Sequence, residues 1–333
     1  MIETTSINQI FQNFENQKVL IIGDIMIDSY IFGNVDRISP EAPVPIVAVE
    51  ERTHRMGGAA NVALNIHAIG AQAILCSVIG EDDKSEVFID LLKKRQMSAE
   101  GIIKSQRRIT TTKFRIIGNS SQLLRVDEEI DTPLDDDDKA LLFNKIQSFI
   151  KAGDIDVIIF QDYDKGVIDK ELIEYVISIA GDIPTVVDPK KRNFHHFKNV
   201  TLFKPNLKEL REGSNDHFEA HDTKRRQDAV EKMQNNLNCK YFFTTLSEYG
   251  VEISQKKENG EFTHHHIPAH IRHIADVSGA GDTVISLTAL CLAQNLPPED
   301  IAYISNLAGG LVCEDVGVVP VNKEKLLKEL KKD

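Results

Sequence analysis

The residues from Asp276 to Thr283 (Asp-Val-Ser-Gly-Ala-Gly-Asp-Thr) place two glycines and a carboxylate just before an apolar run with helical spacing. This pattern predicts a tight turn that leads into the first turn of a helix. The first N–H groups of a helix have no internal partners, and glycines let a ligand approach the backbone closely. The stretch therefore predicts a site for an anionic group such as phosphate.

Asp282 puts a carboxylate inside this turn, where it would repel a phosphate unless it had a chemical task. The natural task is to take the proton from a hydroxyl group that attacks the phosphate. Two simpler interpretations stay open, an acidic residue favoured by the helix dipole and a plain tight turn. A dinucleotide-binding turn would need glycine where Val284 stands, and the Gly-Lys-Ser/Thr sequence of a P-loop does not occur.

The composition limits the classes of protein that the chain can represent. Its 333 residues are 41% hydrophobic and 27% charged, as in ordinary soluble globular proteins. The net charge is -12 without a basic stripe, which argues against a nucleic-acid partner. No apolar run approaches 18 residues and the N-terminal region lacks a signal-peptide core, so we expect a cytoplasmic protein with no membrane partner. The four cysteines lie far apart and are expected to be buried free thiols.

Polar residues that could do chemistry follow several predicted strands. Val19–Ile22 is an apolar run typical of a buried parallel strand, and Gly23-Asp24 follows it. Ligands of open α/β sheets bind beyond the carboxyl ends of the strands, so Asp24 and Asp28 are candidates for holding hydroxyl groups, although Gly23-Asp24 could be a simple turn. Polar clusters follow four later strands, at 162–166, 188–190, 204–209 and 245–248. This repetition predicts an α/β fold with a doubly wound, mostly parallel sheet flanked by helices.

A second, small β-sheet is predicted from two other segments. Residues 30–50 hold three prolines and two short alternating segments, near Ile31 and at 46–49, without a helical period. Residues 110–117 and 122–126 alternate like a hairpin around Gly118-Asn119. We expect a β lid formed by about 29–55 and 108–127, on a single domain that covers 1–333.

Two further motifs stand at predicted helix starts. Met56–Ala63 offers small residues that permit close approach, and Asn61 could present its amide to a sugar. Asn206 and Glu209 are three residues apart and share one helix face, which a simple helix start would also explain. The acidic run 135–138 is expected to be a solvated helix start and not a metal site.

Asp276–Thr283 resembles the ATP-site motif of the PfkB, or ribokinase-like, sugar kinases, and the other motifs follow in the order of that family over about 18–325. The resemblance implies that Asp282 is the catalytic base and that Gly279, Ala280 and Gly281 form the anion hole. It also implies ATP and Mg²⁺, with Glu209 acting on the metal through water. A single glutamate is reasonable because Mg²⁺ keeps several waters and takes few protein carboxylates.

The same resemblance implies which residues contact each substrate. The sugar is expected to contact Asp24, Asp28, Gly57, Gly58, Asn61, Lys113, Arg115, Asp162 and Lys190. ATP is expected to contact Asn206, Thr245, Ser247, Glu248, Gly250, Gly279, Gly281 and Asn306.

Within the family, Arg37–Pro45 and Asp162-Tyr163-x-Lys165-Gly166 are similar to the bacterial D-glycero-β-D-manno-heptose 7-phosphate kinases. This implies phosphorylation of that sugar at O1 to the 1,7-bisphosphate, on the route to ADP-heptose for lipopolysaccharide. Many of these kinases are fused to a nucleotidyltransferase domain, which we do not expect in this chain. The alternatives are a kinase for another sugar or nucleoside, and a catalytically silent nucleotide-binding protein, against which Asp282 argues.

The lid segments carry two further signals. They are basic in an acidic protein, and a phosphate on the substrate would need such cations, with Lys113 or Arg115 favoured over the others. Contact with solvent or with surface acids would also explain most of these cations. Several lid residues are too apolar to be left on a small exposed sheet, so we expect a homodimer through the lid. These residues are Tyr30, Ile31, Phe32, Val44, Ile46 and Val49.

Overall fold

The computed structural model describes residues 4–270 and 273–332, and within these ranges the chain forms two β-sheets. The strands are β1 (Lys18–Gly23), β2 (Ile25–Ile38), β3 (Pro45–Gly58), β4 (Gln72–Gly80), β5 (Ile102–Ser105), β6 (Thr112–Gly118), β7 (Ser121–Glu128), β8 (Val157–Gln161), β9 (Thr185–Asp188), β10 (Leu202–Phe203), β11 (Tyr241–Thr245), β12 (Val251–Lys256) and β13 (Phe262–Ile267). The helices are α1 (Thr4–Phe14), α2 (Ala59–Ile69), α3 (Asp83–Lys94), α4 (Asp136–Lys151), α5 (Lys170–Ala180), α6 (Leu207–Ser214), α7 (Thr223–Leu237), α8 (Ala280–Ala293), α9 (Pro298–Val312) and α10 (Lys323–Leu330).

The main sheet has the strand order β13-β12-β11-β10-β9-β8-β1-β4-β5. The strands from β11 to β5 run parallel, and β12 and β13 add an antiparallel edge. Helices cover both faces of the sheet, because successive side chains of a strand point to opposite faces. Val19 and Ile21 of β1 pack in the core with α2, α8 and α9, whereas Leu20 and Ile22 pack with α4, α5 and α7. The predicted doubly wound α/β fold is confirmed.

The lid is a four-stranded sheet with the order β3-β2-β6-β7. Strands β2 and β3 pair antiparallel over 14 residues each, so they are much longer than the short segments predicted near Ile31 and at 46–49. Irregularities between Phe32 and Gly33, and between Val35 and Arg37, break the strict alternation of residues on which the prediction relied. The hairpin β6–β7 turns at Asn119 and Ser120, close to the predicted Gly118-Asn119.

The two glycines of the Met56–Ala63 motif end strand β3 and do not open the helix. Gly58 has a φ of 62°, and α2 begins at Ala59. A side chain at Gly57 would collide with the carboxylate of Asp28 on the neighbouring strand, so the glycine pair lets β3 pass close to β2. The motif therefore joins the lid to the main domain.

The outer lid surface keeps a group of exposed apolar side chains. They are Ile38, Val44, Val49, Leu123, Leu124 and Val126, each more than 40% exposed. Tyr30, which we had expected among them, is buried, with the guanidinium carbons of Arg55 and Arg115 4.9 Å and 5.3 Å from its ring centroid. Its strand turns this side chain toward the main domain, so Tyr30 does not contribute to an outward-facing apolar surface.

Two expectations from the composition, on the cysteines and on membrane spans, can be compared with the structure. Cys76, Cys239 and Cys291 are buried free thiols as predicted, whereas Cys313 is only half-buried. Among the helices that the structure describes, none combines the length and the apolar character that crossing a membrane would require.

Candidate active site

Helix α8 starts in the predicted anion-binding turn. Gly279 is its N-cap, with a left-handed φ of 82° that favours glycine, and Ala280 and Gly281 begin the helix. Within the described part of the chain, the N–H groups of Gly281 and Asp282 meet no acceptor. The three predicted anion-hole residues thus surround free N–H groups at the positive end of a helix.

Asp282 lies in the first turn of α8, and its side chain is almost completely buried. Its Oδ2 accepts a hydrogen bond of 2.8 Å from Asn61 Nδ2 on α2. Its Oδ1 accepts hydrogen bonds of 3.1 Å from Gln161 Nε2 and 2.7 Å from the Tyr163 hydroxyl. Burial raises the pKa of Asp282 to about 6, although the hydrogen bonds from Asn61 and Tyr163 lower it. A carboxylate with this pKa is ionised at pH 7 and can still take a proton.

Sequence reasoning missed Gln161 and Tyr163, although both lie at the carboxyl end of β8, where polar residues were expected. It selected Asp162 between them, and period-2 alternation turns Asp162 away from Asp282. It also missed Lys204, whose ammonium lies 3.0 Å from Asp188 Oδ2 with both side chains buried. A Cβ at Gly281 would stand 4.0 Å from this ammonium, so Lys204 brings a positive charge to the anion-binding turn.

Asp28 and Asn61 are two of the residues predicted to contact the sugar. Asp28 is buried and pairs with Arg115 across β2 and β6, next to Gly57. Asn61 donates to Asp282, and its own Oδ1 is buried with no partner among the described residues. A buried acceptor of this kind is satisfied when a ligand donates a hydroxyl hydrogen to it.

Asp24 and Asp162 hold the loop after β8. Asp24 accepts N–H hydrogen bonds from Tyr163, Lys165 and Val167 at 2.9 to 3.1 Å, and burial raises its pKa. Asp162 accepts from the N–H of Asp164 at 2.8 Å and from the Asn193 amide at 3.1 Å. Burial, with the charge of Asp24, raises the pKa of Asp162 to about 7. Both carboxylates thus bind groups of the protein itself, and direct contact with a sugar stays a prediction for each.

Lys113 and Arg115, the cations favoured for a substrate phosphate, both have acidic partners. The Lys113 ammonium lies 3.0 Å from Asp127 and 3.2 Å from Glu129. Arg115 contacts Asp28 through Nη1, and within residues 4–270 and 273–332 it forms no other ion pair. Arg115 thus keeps free N–H donors, whereas the ammonium of Lys113 is shared by two carboxylates.

Asn206 and Glu209 form a capping box at the start of α6. Asn206 Oδ1 accepts from the N–H of Glu209, and Glu209 Oε2 accepts from the N–H of Asn206, each at 2.9 Å. The other oxygen of Glu209 pairs with Lys190. Burial opposes the charge on Lys190, but the carboxylates of Asp188 and Glu209 raise its pKa. The plain helix-start interpretation is therefore correct for the local geometry, and any metal role of Glu209 would add to it.

Several of the predicted ATP contacts lie near the carboxyl end of β11 or touch the segment after β13. Asn206 forms a β-bridge with Thr245, and residues 247–249 make one 3₁₀ turn that contains Ser247 and Glu248. Gly250, at a φ of 89°, packs against the backbone of 267–269, and Asn306 of α9 donates to Pro268 O at 2.9 Å. These contacts join segments that are far apart in sequence, and the binding of ATP by these residues stays a prediction.

The start of α8 offers groups that suit the phosphates of a nucleotide. The free N–H groups of α8 and the Lys204 ammonium suit phosphate oxygens. Among the described residues, no group of three or more acidic, histidine or cysteine side chains could hold a metal ion. Mg²⁺ keeps several waters and takes few protein carboxylates, and the predicted role of Glu209 toward it through water stays a prediction.

Solved structures share this fold. Phosphofructokinase-2 from Escherichia coli, in complex with potassium, superposes with a TM-score of 0.75 at 18% identity, over 94% of this chain and 99% of that one. Ribokinase from Arabidopsis thaliana, complexed with ribose and ATP, gives a TM-score of 0.70 at 15% identity, over 94% and 99%. The architecture is thus that of the ribokinase-like proteins.

Sequence comparison defines the family more closely. The pattern of the pfkB family carbohydrate kinases matches residues 16–325, and the chain belongs to this family. Bifunctional protein HldE of Methylobacillus flagellatus is 37% identical over 317 residues, 94% of this chain and 63% of its own length. Bifunctional protein HldE of Syntrophotalea carbinolica is 35% identical over 326 residues, 97% of this chain and 65% of its own length. The chain thus spans less than two thirds of these curated relatives.

Proposed function

We propose that this carbohydrate kinase transfers the γ-phosphate of ATP to O1 of D-glycero-β-D-manno-heptose 7-phosphate and releases the 1,7-bisphosphate. The observation that carries the proposal is the buried Asp282 carboxylate, with a pKa of about 6, in the first turn of a helix whose first N–H groups are free. The similarity to the bifunctional HldE proteins supports the choice of sugar.

In the proposed reaction, Asp282 takes the proton of the attacking hydroxyl. The free N–H groups around Gly281 and the ammonium of Lys204 stabilise the negative charge that develops on the transferred phosphoryl group. They need not rearrange during the reaction, because the fold fixes them in place beforehand. ATP supplies the phosphoryl group, and Mg²⁺ would neutralise its phosphates. Asn61 and Asp28 bind sugar hydroxyls and orient the acceptor.

Arg115 is the cation that we assign to the 7-phosphate of the substrate. Its free N–H donors lie on the inner side of the lid, next to Asp28 and Tyr30. A guanidinium can hold a carboxylate with one nitrogen and a phosphate with the others, because its donors form a planar fork. Lys113 is less favourable for this role, since two carboxylates share its ammonium.

The test is ADP release across a panel of phosphorylated and free sugars, with ribose and adenosine included. We expect strong turnover with heptose 7-phosphate and little with free heptose, ribose or adenosine. Binding energy from the remote phosphate helps to orient the reacting hydroxyl, so its loss should lower kcat as well as raise KM. Equal kcat/KM for the phosphorylated and the free heptose would reject the substrate assignment and leave a general sugar or nucleoside kinase.

A variant pair tests the assignment of Arg115. Arg115→Ala should lower kcat/KM for the phosphorylated sugar about 10- to 100-fold, because a hydrogen bond to a charged group contributes about 1.5–3 kcal/mol. Arg52→Ala is the matched control, since Arg52 is exposed and its position on β3 points to the opposite lid face. ATP binding without turnover on any sugar would favour a catalytically silent nucleotide-binding protein.

A further inference from the structure

The two oxygens of the Asp282 carboxylate have different surroundings. Oδ1 accepts from two donors, Gln161 Nε2 at 3.1 Å and the Tyr163 hydroxyl at 2.7 Å. Oδ2 accepts from one donor, Asn61 Nδ2 at 2.8 Å. A carboxylate oxygen has two lone pairs, so both acceptor positions of Oδ1 are filled and one position of Oδ2 is open.

We propose that Tyr163 is a positioning residue for Asp282, which together with Gln161 holds Oδ1 so that the proton of the acceptor hydroxyl is taken at Oδ2. This inference rests on the proposed function of Asp282 as the base. In the step, the O–H bond of the acceptor breaks and its hydrogen forms an O–H bond with Oδ2. The electron pair of that bond stays on the acceptor oxygen, which bonds to the γ-phosphorus, while the bond from phosphorus to the bridging oxygen breaks and its electrons leave with ADP.

The loop that carries Tyr163 is fixed by the buried carboxylate of Asp24. Its N–H donates to Asp24 Oδ2 at 2.9 Å, and the N–H groups of Lys165 and Val167 donate to the same buried carboxylate. The ammonium of Lys190 lies 5.7 Å from the centroid of the tyrosine ring. The hydroxyl is therefore held in place by the protein, so that Oδ1 is occupied before any substrate arrives.

The charged groups near the pair come from several elements. The charge of Asp188 on β9 raises the pKa of Asp282, and the charge of Lys204, which follows β10, lowers it. The carboxylates of Asp188 and Asp28 raise the pKa of Tyr163. Burial, together with the neighbouring Asp282, raises the pKa of Tyr163 well above its ordinary value, so the phenol keeps its proton and donates. A donor to an ionised carboxylate favours the ionised form. Removal of the Tyr163 hydroxyl should therefore raise the pKa of Asp282 further.

The test is Tyr163→Phe, which keeps the ring and removes the hydroxyl. In the wild-type enzyme, kcat/KM should fall as the pH drops below about 6, the pKa of Asp282. In the variant this acidic limb should move to higher pH by roughly one pH unit, so that activity near pH 6 falls about fivefold further than activity at pH 8. Tyr175→Phe is the control, because Tyr175 stacks on Phe143 at 4.5 Å between α4 and α5, and its limb should not move.

An acidic limb at the same pH in Tyr163→Phe and wild type would overturn the inference, since a purely structural role would lower activity equally at every pH. Absence of turnover in the wild-type protein with every sugar would reject the proposed function instead. The carboxyl carbon of Asp282 would then be titrated by ¹³C NMR in both proteins, with its signal assigned from Asp282→Asn. A higher titration midpoint in Tyr163→Phe supports the inference, and an unchanged midpoint overturns it.

Discussion

Replacing Asp282 with asparagine should remove activity and at the same time stabilise the fold. The asparagine can be accommodated because Asn61 Oδ1 and Gln161 Oε1 are buried acceptors with no partner among the described residues. If the Asn61 amide turns over, its oxygen accepts from the new side-chain amide and its NH2 group takes the place of the unpartnered oxygen, so the number of unpartnered polar groups on Asn61 does not rise. The loss of a positioned base typically lowers the rate by ~10²–10⁴, so turnover should fall by this factor while ATP binding persists.

The gain in stability follows from the pKa of Asp282, which burial raises from its ordinary value of 3.8 to about 6. Between these two values the unfolded carboxyl releases its proton while the folded carboxyl keeps it, so stability falls as the pH rises. Above pH 6 the cost is complete, and a difference of about 2 pH units corresponds to an upper limit of about 3 kcal/mol. A neutral asparagine avoids the free-energy cost of a buried charge. Active sites often impose such a cost on the stability of a fold.

The assay combines turnover with chemical unfolding at pH 8 and at pH 5. We expect Asp282→Asn to exceed the wild type in free energy of unfolding by up to about 3 kcal/mol at pH 8 and by about half as much at pH 5. Asp90→Asn is the control, because Asp90 is exposed on α3 and its ion pair with Lys93, 3.5 Å away, lies on the surface. Near-normal turnover in Asp282→Asn would refute its assignment as the base, and a stability gain that does not change with pH would refute the electrostatic reasoning.

Two further predictions concern the anion-binding turn and the lid. Gly279→Ala should lower turnover at least tenfold without unfolding the protein. Alanine is strained at a φ of 82°, and its Cβ would stand 2.9 Å from Asn61 Nδ2. A variant with the turnover of the wild type would contradict this prediction. Leu124→Glu should convert a lid-paired dimer into a monomer in light scattering at micromolar concentration, whereas Leu141→Glu, an equally exposed site on α4, should not. A wild-type protein that is already monomeric would remove the dimer proposal.

Local patterns were sufficient to predict the sheet and the start of α8. The run Val19–Ile22 is apolar at every position, which only a strand buried on both faces tolerates, and the structure buries all four residues completely. The glycines at 279 and 281 and the apolar residues after Thr283 likewise determine a turn and a helix within one stretch of chain. The strand and the helix start depend on residues that are adjacent in the sequence, so the sequence alone is enough to predict them.

The lid was predicted less well because its strands are long, irregular and half-exposed. Exposed residues of a small sheet need not alternate, and the irregularities in β2 shift the pattern from one face to the other. The inward orientation of Tyr30 depends on Arg55 of β3 and Arg115 of β6, which come from distant parts of the chain.

The sequence by itself determined the fold class, the base candidate Asp282 and the turn that precedes it, because each depends on residue types at short spacing. Only the tertiary structure decided what surrounds that carboxylate. Asn61, Gln161 and Tyr163 reach it from α2 and from the end of β8, more than a hundred residues away in sequence. Burial among these elements raises the pKa of Asp282 to about 6, and no local pattern encodes that value, because desolvation depends on every element that packs around the group.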